Sequence, residues 1–321
     1  MIVFLLLDLA PGDPTSQLPL TIPAEQREQI RESLGFNDPL PVRYGKWARQ
    51  LIINEPLHLV ESWTDWCIPL GDCENRDRIT SWASRSPAMD TIYQRMPQTL
   101  WVLGLGLIFG VLIAVPIGAM QAFRQYSWFD NAGTVVTLLG FSVPVFVIGP
   151  IFIWLFSIKF NLLPTLYKTT HDVQWTSWSS IWFQIKQLIM PVSVLTLFNA
   201  ASFGRFTRGA VLENLHESFV RTARSKGLHE GTVRRRHVVR NSLIPVVTLL
   251  ALSVPGLFGG AIITENIFRI NGLGDLLLTA IGQSDLYMVQ SLVFIFAVLT
   301  VVFNIVADVL YGLLDPRIRY E

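Results

Sequence analysis

The chain has 321 residues, of which 51% are hydrophobic and 15% charged, and its net charge at pH 7 is +1. A soluble protein of this length would fold as two or three domains with a larger charged fraction, so the composition argues against that class. The small net charge says little about partners, because the charges are distributed unevenly between segments. No nucleic-acid partner is expected.

Five long uncharged runs predict membrane-spanning helices. They cover residues 96–123, 131–158, 187–204, 241–264 and 286–307 and are 18 to 28 residues long. An α-helix rises 1.5 Å per residue, so about 20 apolar residues cross the roughly 30 Å hydrocarbon layer of a bilayer. A helix in a soluble core needs a polar face, which these runs lack. The expected fold class is therefore an all-α membrane protein.

The first ten residues, MIVFLLLDLA, are apolar but too few to cross a bilayer, because nine helical residues span only about 14 Å. No basic region precedes them, and A-P-G-D-P follows where a signal peptide would have its cleavage site. Residues 1–10 are therefore predicted to be the remnant of a truncated first transmembrane helix. A peripheral apolar plug is the alternative.

Residues 11–95 are rich in proline, tryptophan and charge, and predict a hydrophilic lobe between the first and second transmembrane helices. Pro23 opens a stretch with acidic residues in its first turns and a glycine after its end, which predicts a short amphipathic helix over 23–34. A second helix is expected over 43–53. The signals beyond Asn54 are those of a loop.

Two cysteines, Cys67 and Cys73, lie in this lobe with five residues between them. Because the lobe is assigned to the outside of the cell, a disulfide between them is one interpretation. Two free thiols are the other. A metal site is not predicted, since His58 is the only histidine nearby.

In chain order, the remaining transmembrane helices are predicted at about 99–122, 134–156, 188–204, 243–264 and 286–310. Pro144 and Pro150 fall inside the second of these helices. A proline removes a backbone hydrogen bond and bends a helix, so a bend is expected there.

A strongly basic hydrophilic segment, 205–242, separates two of these spans. It has nine lysines and arginines against three glutamates. Basic loops stay on the cytoplasmic side, which places this segment inside the cell and the 11–95 lobe outside. Alternation of the spans then places the N-terminus and the C-terminus in the cytoplasm. The two arginines of the terminal DPRIRYE agree with this orientation.

The chain has no motif for an energy source of its own. It contains no G-x-x-x-x-G-K-[ST] phosphate-binding loop, and neither the H-E-x-x-H nor the G-x-S-x-G motif of hydrolases. Only Asp308 is charged within the five spans, whereas ion-coupled carriers usually have buried ionisable groups near the bilayer centre. Energy for transport must then come from a partner, through the basic segment. A secondary carrier and a membrane-embedded enzyme are the weaker alternatives.

Seven motifs in order along the chain resemble those of one family. RTARSKG at Arg221–Gly227, with RNSLIP at Arg240–Pro245, resembles the EAA-type loop of bacterial ABC importer permeases, in particular the B-type subunit of the dipeptide/oligopeptide permease family. The other matches are APGDP from Ala10, LGFNDPLPVRY from Leu34, MPQTL from Met96, SVPVF from Ser142, NGLG from Asn271 and LDPRIRY from Leu314. The chain departs from the family in its missing first half-helix and in a Cys/Trp-rich stretch at 57–85.

The resemblance implies a six-helix type I ABC importer permease with a truncated first helix, an extracytoplasmic lobe over 11–95 and a permease core over 96–321. Such a permease lies in the bacterial cytoplasmic (inner) membrane. It pairs with a homologous second permease and two ATPase subunits or domains, and an extracytoplasmic peptide-binding protein delivers its substrate. ATP and Mg belong to the ATPases, so this chain is expected to have no cofactor, metal or catalytic residue. Peptides are the implied substrate; nickel, glutathione or another small solute is the alternative.

In this family the cytoplasmic segment contains a coupling helix that inserts into an ATPase subunit. The resemblance implies that Phe219 and Val220 are apolar anchors, and that Ala223 and Gly227 let the helix fit and end in a groove of that partner. The alternative is a basic loop that only sets the topology. The implied ATPase-coupling residues are Phe219, Val220, Arg221, Thr222, Ala223, Arg224, Lys226, Gly227 and, where the chain returns to the membrane, His237 and Arg240.

Two further pairs of polar residues lie at the ends of predicted spans. Asn304 and Asp308, one turn apart on the last helix, either line the pathway or pair with a neighbouring helix. Glu265 and Arg269 flank the outer mouth, where a solvated salt bridge is expected.

Overall fold

The computed structural model describes residues 38–64, 77–168 and 176–314, and the isolated positions 4, 5, 23, 25 and 28. Several sequence predictions lie wholly or mostly outside these residues: the first-helix remnant at 1–10, the amphipathic helix over 23–34, the pair Cys67 and Cys73, and the basic C-terminus. Within the described residues every regular element is helical, apart from one isolated bridge between Thr80 and Pro87.

The helices follow one another along the chain with few long connections. In order they are α1 (Leu40–Arg49), α2 (Glu55–Thr64), α3 (Ala88–Phe123), α4 (Trp128–Ser142), α5 (Val145–Phe152), α6 (Trp178–Leu215), α7 (Ser218–Ser225), α8 (Glu230–Thr232), α9 (Arg240–Phe268), α10 (Leu273–Gly282) and α11 (Leu286–Leu314). In the described part of the chain, three π-helical segments continue them: Gln50–Asn54 joins α1 to α2, Ile153–Lys159 extends α5, and Val233–Val239 joins α8 to α9.

By length and composition, four helices in the described part of the chain are long and apolar enough to cross a membrane: α3, α6, Glu230–Val254 and Leu286–Val306. A fifth candidate is α4 together with α5 and its extension to Lys159, a pair that is bent by 100°. These candidates coincide with the five uncharged runs of the sequence. The predicted all-α membrane fold is confirmed.

The bend between α4 and α5 lies at Pro144, inside the span where the sequence predicts one. Val143 precedes the proline with extended backbone (φ −85°, ψ 119°), and Pro144 itself is extended (ψ 144°). A proline disfavours helical backbone at the residue before it and has no N–H to donate. The first helix therefore ends at Ser142, and the chain resumes at Val145 in a new direction.

The long helices extend beyond their apolar runs. α3 begins at Ala88 rather than near residue 99, and α6 continues to Leu215 rather than ending near residue 204. Hydropathy marks only the part of a helix that lies in hydrocarbon, whereas its backbone hydrogen bonds continue through polar sequence until a residue ends them. Polar residues of the predicted basic segment therefore belong to α6.

The prediction of a loop beyond Asn54 is wrong, because α2 occupies this stretch. Its first residue, Glu55, is buried. Glu55 accepts hydrogen bonds from Arg78 Nη2 at 3.0 Å and from Ile79 N at 3.3 Å, and Arg78 also lies 2.6 Å from Asp90. These partners are more than twenty positions away along the chain, so local sequence signals do not report them.

The chain divides into two compact units, one of residues 1–97 with 275–297 and one of residues 98–274 with 298–321. In the first unit, Asp285 accepts hydrogen bonds from Ser81 Oγ at 2.5 Å and from Ala83 N at 3.1 Å. The rings of Trp47 and Phe294 meet edge to face, with centroids 6.4 Å apart. Polar and aromatic contacts between distant segments thus hold this unit together.

In the second unit, α3 lies close to α6 at its glycines. A Cβ atom built on Gly110 would lie 2.5 Å from Asn199 Cβ, and one on Gly118 would lie 2.6 Å from the carbonyl oxygen of Gly204. Real Cβ atoms do not approach other atoms so closely. Small residues at such positions allow helix backbones to come together, as is common between membrane helices.

Glu265, near the end of α9, is fully buried. It accepts hydrogen bonds from Thr99 Oγ1 at 2.6 Å and from Gly274 N at 2.7 Å. The sequence predicted a solvated salt bridge between Glu265 and Arg269. That prediction is wrong for Glu265, because its carboxylate is buried. Glu265 instead holds the turn that leads into α10, a helix between the last two predicted spans. Arg269 ends α9 in the left-handed conformation, with φ 54°.

Candidate functional site

The basic segment contains a short helix, α7, whose end is set by a glycine. Gly227 has φ +74°, and its N–H donates to Arg224 O at 2.9 Å. The next residue, Leu228, donates its N–H to Ala223 O at 3.4 Å. Side chains rarely tolerate this backbone conformation, whereas glycine adopts it without strain. Gly227 therefore ends α7 and turns the chain toward α8.

One face of α7 packs against the chain itself. Val220 is 0% exposed and Ala223 is 4% exposed, and both belong to an apolar cluster with side chains of α3, α6 and the Val233–Val239 segment. The buried members of this cluster are Ala119, Ala122, Val211, Val220, Ala223, Val233 and Val238. Residues three positions apart lie on the same helix face, so Val220 and Ala223 anchor α7 together.

This packing corrects the roles that the resemblance implies for Val220 and Ala223. Val220 was expected to anchor α7 in a partner, and Ala223 to fit the groove of that partner, but both side chains lie in the apolar cluster of the chain itself. The physical reason is the amphipathic period of α7, which buries its apolar face against the nearest apolar surface. That surface belongs to α3 and α6.

The opposite face of α7 is polar and exposed. It presents Arg221, Thr222 and Ser225, and Lys226 follows at its C-terminal end. Phe219 lies at its edge with 36% of its surface exposed. A helix that is fixed through one face and open on the other is suited to contact a second protein.

Arg224 is exposed, but its guanidinium is held within the chain. Its Nη2 lies 2.9 Å from Glu230 Oε1 and its Nε lies 3.2 Å from Oε2. Arg234 Nε approaches the same carboxylate at 3.4 Å. The hydrogen bond to Glu230 raises the pKa of Arg224 above its ordinary value. This bidentate ion pair stabilises the turn between α7 and α8.

His237 and Arg240 lie where the basic segment leads into α9. The carbonyl oxygen of His237 accepts a hydrogen bond from Asn241 Nδ2 at 2.8 Å, and Ser242 Oγ lies 2.9 Å from Val238 O. Val238 belongs to the same apolar cluster as α7. The segment that leads into α9 and the helix α7 therefore pack in the same apolar cluster. The orienting role of the two side chains stays a prediction.

A buried ion pair close to this region was missed in the sequence analysis. Asp130, in the first turn of α4, is 1% exposed, and its Oδ1 and Oδ2 lie 2.6 and 2.8 Å from Nε and Nη2 of Arg208 on α6. Tyr126 N also donates to Asp130, at 3.0 Å. The available signal was an acidic residue in a short polar turn and an arginine past the end of an apolar run. Neither signal identifies the partner, which lies 78 positions away.

Asn304 and Asp308 are both exposed on α11. Their place in a pathway stays a prediction. Among the described residues, no three or more His, Cys, Asp or Glu side chains are grouped as a metal site requires.

Residues 114–320 match the family described as the binding-protein-dependent transport system inner membrane component. This range covers more than half of the chain and includes α7, its apolar cluster and the Asp130–Arg208 pair.

Relatives named as permeases align with nearly the whole chain. The oligopeptide transport system permease protein AppB of Bacillus subtilis (strain 168) is 34% identical over 319 residues, which cover 99% of this chain and 93% of that protein. The dipeptide transport system permease protein DppB of Alkalihalophilus pseudofirmus is 30% identical and covers 100% of this chain and 94% of that protein. The glutathione transport system permease protein GsiC of Salmonella paratyphi A is 31% identical, with coverage of 100% and 94%.

Solved structures of transporters share the fold. A chain of the MetNI methionine ABC transporter in inward facing conformations matches with a TM-score of 0.56 and 14% identity, over 71% of this chain and 97% of that chain. A chain of an amino acid ABC transporter with histidines matches with a TM-score of 0.52 and 16% identity, over 72% and 95%. The fold, the family match and the full-length relatives agree with the motifs. The chain belongs to the family of inner-membrane components of binding-protein-dependent transport systems.

Proposed function

We propose that this chain is the transmembrane permease subunit of an ATP-driven ABC importer for peptides. Relatives named as oligopeptide and dipeptide permeases, aligned over nearly its whole length, support the substrate class. In this role the chain forms one half of the translocation pathway, and a homologous second permease forms the other half. Two ATPase subunits or domains bind ATP and Mg and hydrolyse the ATP, and an extracytoplasmic peptide-binding protein delivers the substrate.

The observation that best supports coupling to an ATPase is the two-faced packing of α7. Its apolar side chains, Val220 and Ala223, join the core of the helix bundle, so a force on α7 is transmitted to α3 and α6. Its exposed polar side chains, among them Arg221, remain available to a partner. A basic loop that only set the topology would need positive charge but no such anchored helix.

In this proposal the importer lies in the bacterial cytoplasmic membrane, with α7 and the C-terminus in the cytoplasm. The nine basic residues of the 205–242 segment support this orientation, because basic loops stay on the cytoplasmic side. Closure of the ATPase dimer on ATP then moves α7 as a lever. The 11–95 lobe lies on the outer side, where the binding protein docks.

Glutathione, itself a short peptide, is the second candidate substrate. The observation in its favour is the relative named as a glutathione transport system permease, which is 31% identical over the whole chain. The oligopeptide permease relative has the higher identity, so peptides in general are the preferred class.

Arg221→Glu tests the coupling role, because it reverses a charge on the exposed face of α7 without entering the apolar cluster. We expect the amount of ATPase that co-purifies with the permease to fall about tenfold or more, since reversing a charge in an interface is strongly unfavourable. ATP-dependent peptide uptake into proteoliposomes is expected to fall in proportion. The amount of permease inserted in the membrane stays at the wild-type level.

Lys159→Glu is the matched control, because it makes the same charge change at the end of the α5 extension, far along the chain from α7. Its ATPase co-purification and uptake are expected to equal those of the wild type. If Arg221→Glu permease keeps its ATPase partners and its uptake, α7 is not the coupling element. Uptake that survives ATP depletion but collapses with the ion gradient would indicate a secondary carrier instead.

A further inference from the structure

A cavity of about 600 Å³ lies in the second unit between α4, α6 and α9. Its wall includes Thr137 and Phe141 of α4, Ser202 of α6 and Pro245 of α9. Sites for small molecules typically have volumes of about 300–1,000 Å³ and a mostly apolar lining with a few polar groups. The cavity has the size and lining of such a site, and it is separate from the exposed face of α7.

Two opposite charges, Arg205 and Glu213, line this cavity from α6. Both side chains are exposed, and within the described part of the chain neither has an ion-pair or hydrogen-bond partner. Arg208, which lies between them in sequence, is by contrast engaged by Asp130 at 2.6 and 2.8 Å. Unpaired charges are unfavourable against lipid, so this wall faces water or a polar ligand.

The two charges point to a ligand that carries charges of both signs. The backbone positions of Arg205 and Glu213 are about 12 Å apart along the axis of α6, because they are eight positions apart in one helix. A tripeptide with free termini has a carboxylate at one end and an ammonium at the other, about 10 Å apart at 3.3–3.6 Å per residue, so the two long side chains can each reach one end. Gly209 and Ala210 lie between them and leave room for a ligand against the helix.

We propose that this cavity is a binding subsite for short zwitterionic peptides, in which Arg205 binds the C-terminal carboxylate and Glu213 binds the N-terminal ammonium. A guanidinium is well matched to a carboxylate because it donates two parallel hydrogen bonds. The apolar wall contacts the peptide without reading its sequence. The subsite therefore selects for free termini. This inference rests on the proposed peptide function. It adds that the permease itself recognises the charged termini of the peptide.

The test is equilibrium binding of trialanine to the purified permease–ATPase complex without nucleotide. The binding protein is omitted, so its own selectivity does not enter. Arg205→Gln is expected to weaken trialanine binding about tenfold, as the loss of a charge-assisted hydrogen bond does. Trialanine amide, which lacks the carboxylate, is expected to bind equally to this variant and to the wild type. Glu213→Gln is expected to show the same pattern with N-acetyl-trialanine.

Lys186→Gln removes one positive charge from α6 away from the cavity, where the ammonium lies over the Trp182 ring. It is expected to leave every affinity at the wild-type value. The proposal is overturned if wild-type complex binds trialanine and its amide equally, or does not bind trialanine. It is also overturned if glycerophosphoethanolamine displaces trialanine with equal affinity, because the cavity would then be a site for lipid headgroups.

Uptake by the complete importer separates failure of this proposal from failure of the proposed function. If the wild type imports peptides, and Arg205→Gln and Glu213→Gln distinguish free from blocked termini as the wild type does, the subsite is wrong and the importer function stands. If the wild type imports no peptide, the proposed function fails, and the subsite fails with it.

Discussion

The carboxylate of Asp130 accepts two hydrogen bonds from the guanidinium of Arg208 and one from the backbone N–H of Tyr126. Asp130 is nearly inaccessible to water, whereas the Arg208 side chain is about a quarter exposed. Asp130→Asn is expected to lower the free energy of unfolding by about 3 kcal/mol, because removing one partner of a buried ion pair leaves the other charge uncompensated. The measurement is the unfolding temperature of the detergent-solubilised permease.

The double variant Asp130→Leu with Arg208→Met is the informative companion to this prediction. It removes both charges, so most of the lost stability is expected to return. Glu217→Gln alters an exposed carboxylate next to α7 and is expected to leave the unfolding temperature unchanged. An Asp130→Asn permease as stable as the wild type would show that the pair contributes no net stability.

At the scale of single elements, α7 shows which structural features a sequence motif predicts and which depend on packing. The motif implies a short helix, and Gly227 ends it because glycine tolerates the left-handed backbone. The motif does not indicate which face of the helix is buried. Val220 and Ala223 share an apolar cluster with Val211 of α6 and with Ala119 and Ala122 of α3, and the two alanines lie far along the chain from α7. Such long-range contacts are absent from a local pattern.

In the other elements, too, local effects were predicted from the sequence and long-range contacts were not. The bend at Pro144 was predicted, because the backbone restriction imposed by a proline acts on the residue next to it. The burial of Glu265 was not predicted, because its partner Thr99 lies 166 positions away. Hydropathy located the spans but not the ends of α3 and α6, since a helix continues into polar sequence after it leaves the hydrocarbon.

The packing of α3 on α6 provides a prediction at this scale. Gly110→Ala is expected to destabilise the permease by about 1–3 kcal/mol, because the added Cβ would lie 2.5 Å from Asn199 Cβ and the helices must move apart. Gly104→Ala, on the same helix, adds a Cβ with nothing within 4 Å. The control is expected to be neutral or stabilising, since alanine favours a helix more than glycine does. Unfolding temperatures of the two variants decide the matter, and equal effects would contradict close packing at Gly110.

At the scale of the whole molecule, the proposed function depends on orientation in the bilayer. The orientation follows from the charge of the 205–242 segment and the alternation of spans alone. The relatives and the fold agree with a multi-pass membrane protein, and neither depends on which side α7 faces. The coupling role requires α7 to meet ATP-hydrolysing partners in the cytoplasm. Orientation is therefore the property of the whole chain on which the coupling proposal rests.

Single-cysteine labelling measures this orientation directly. In a background in which Cys67 and Cys73 are changed to serine, Ser84→Cys and Ser225→Cys each place one thiol at an exposed position, the first in the outer lobe and the second on α7. A membrane-impermeant maleimide is expected to label Ser84→Cys in intact spheroplasts, and Ser225→Cys only after the membrane is permeabilised, because positive charge keeps the α7 segment inside. Equal labelling of both after permeabilisation shows that each thiol is reactive. Labelling of Ser225→Cys in sealed spheroplasts would place α7 outside the cell and remove the basis for ATPase coupling.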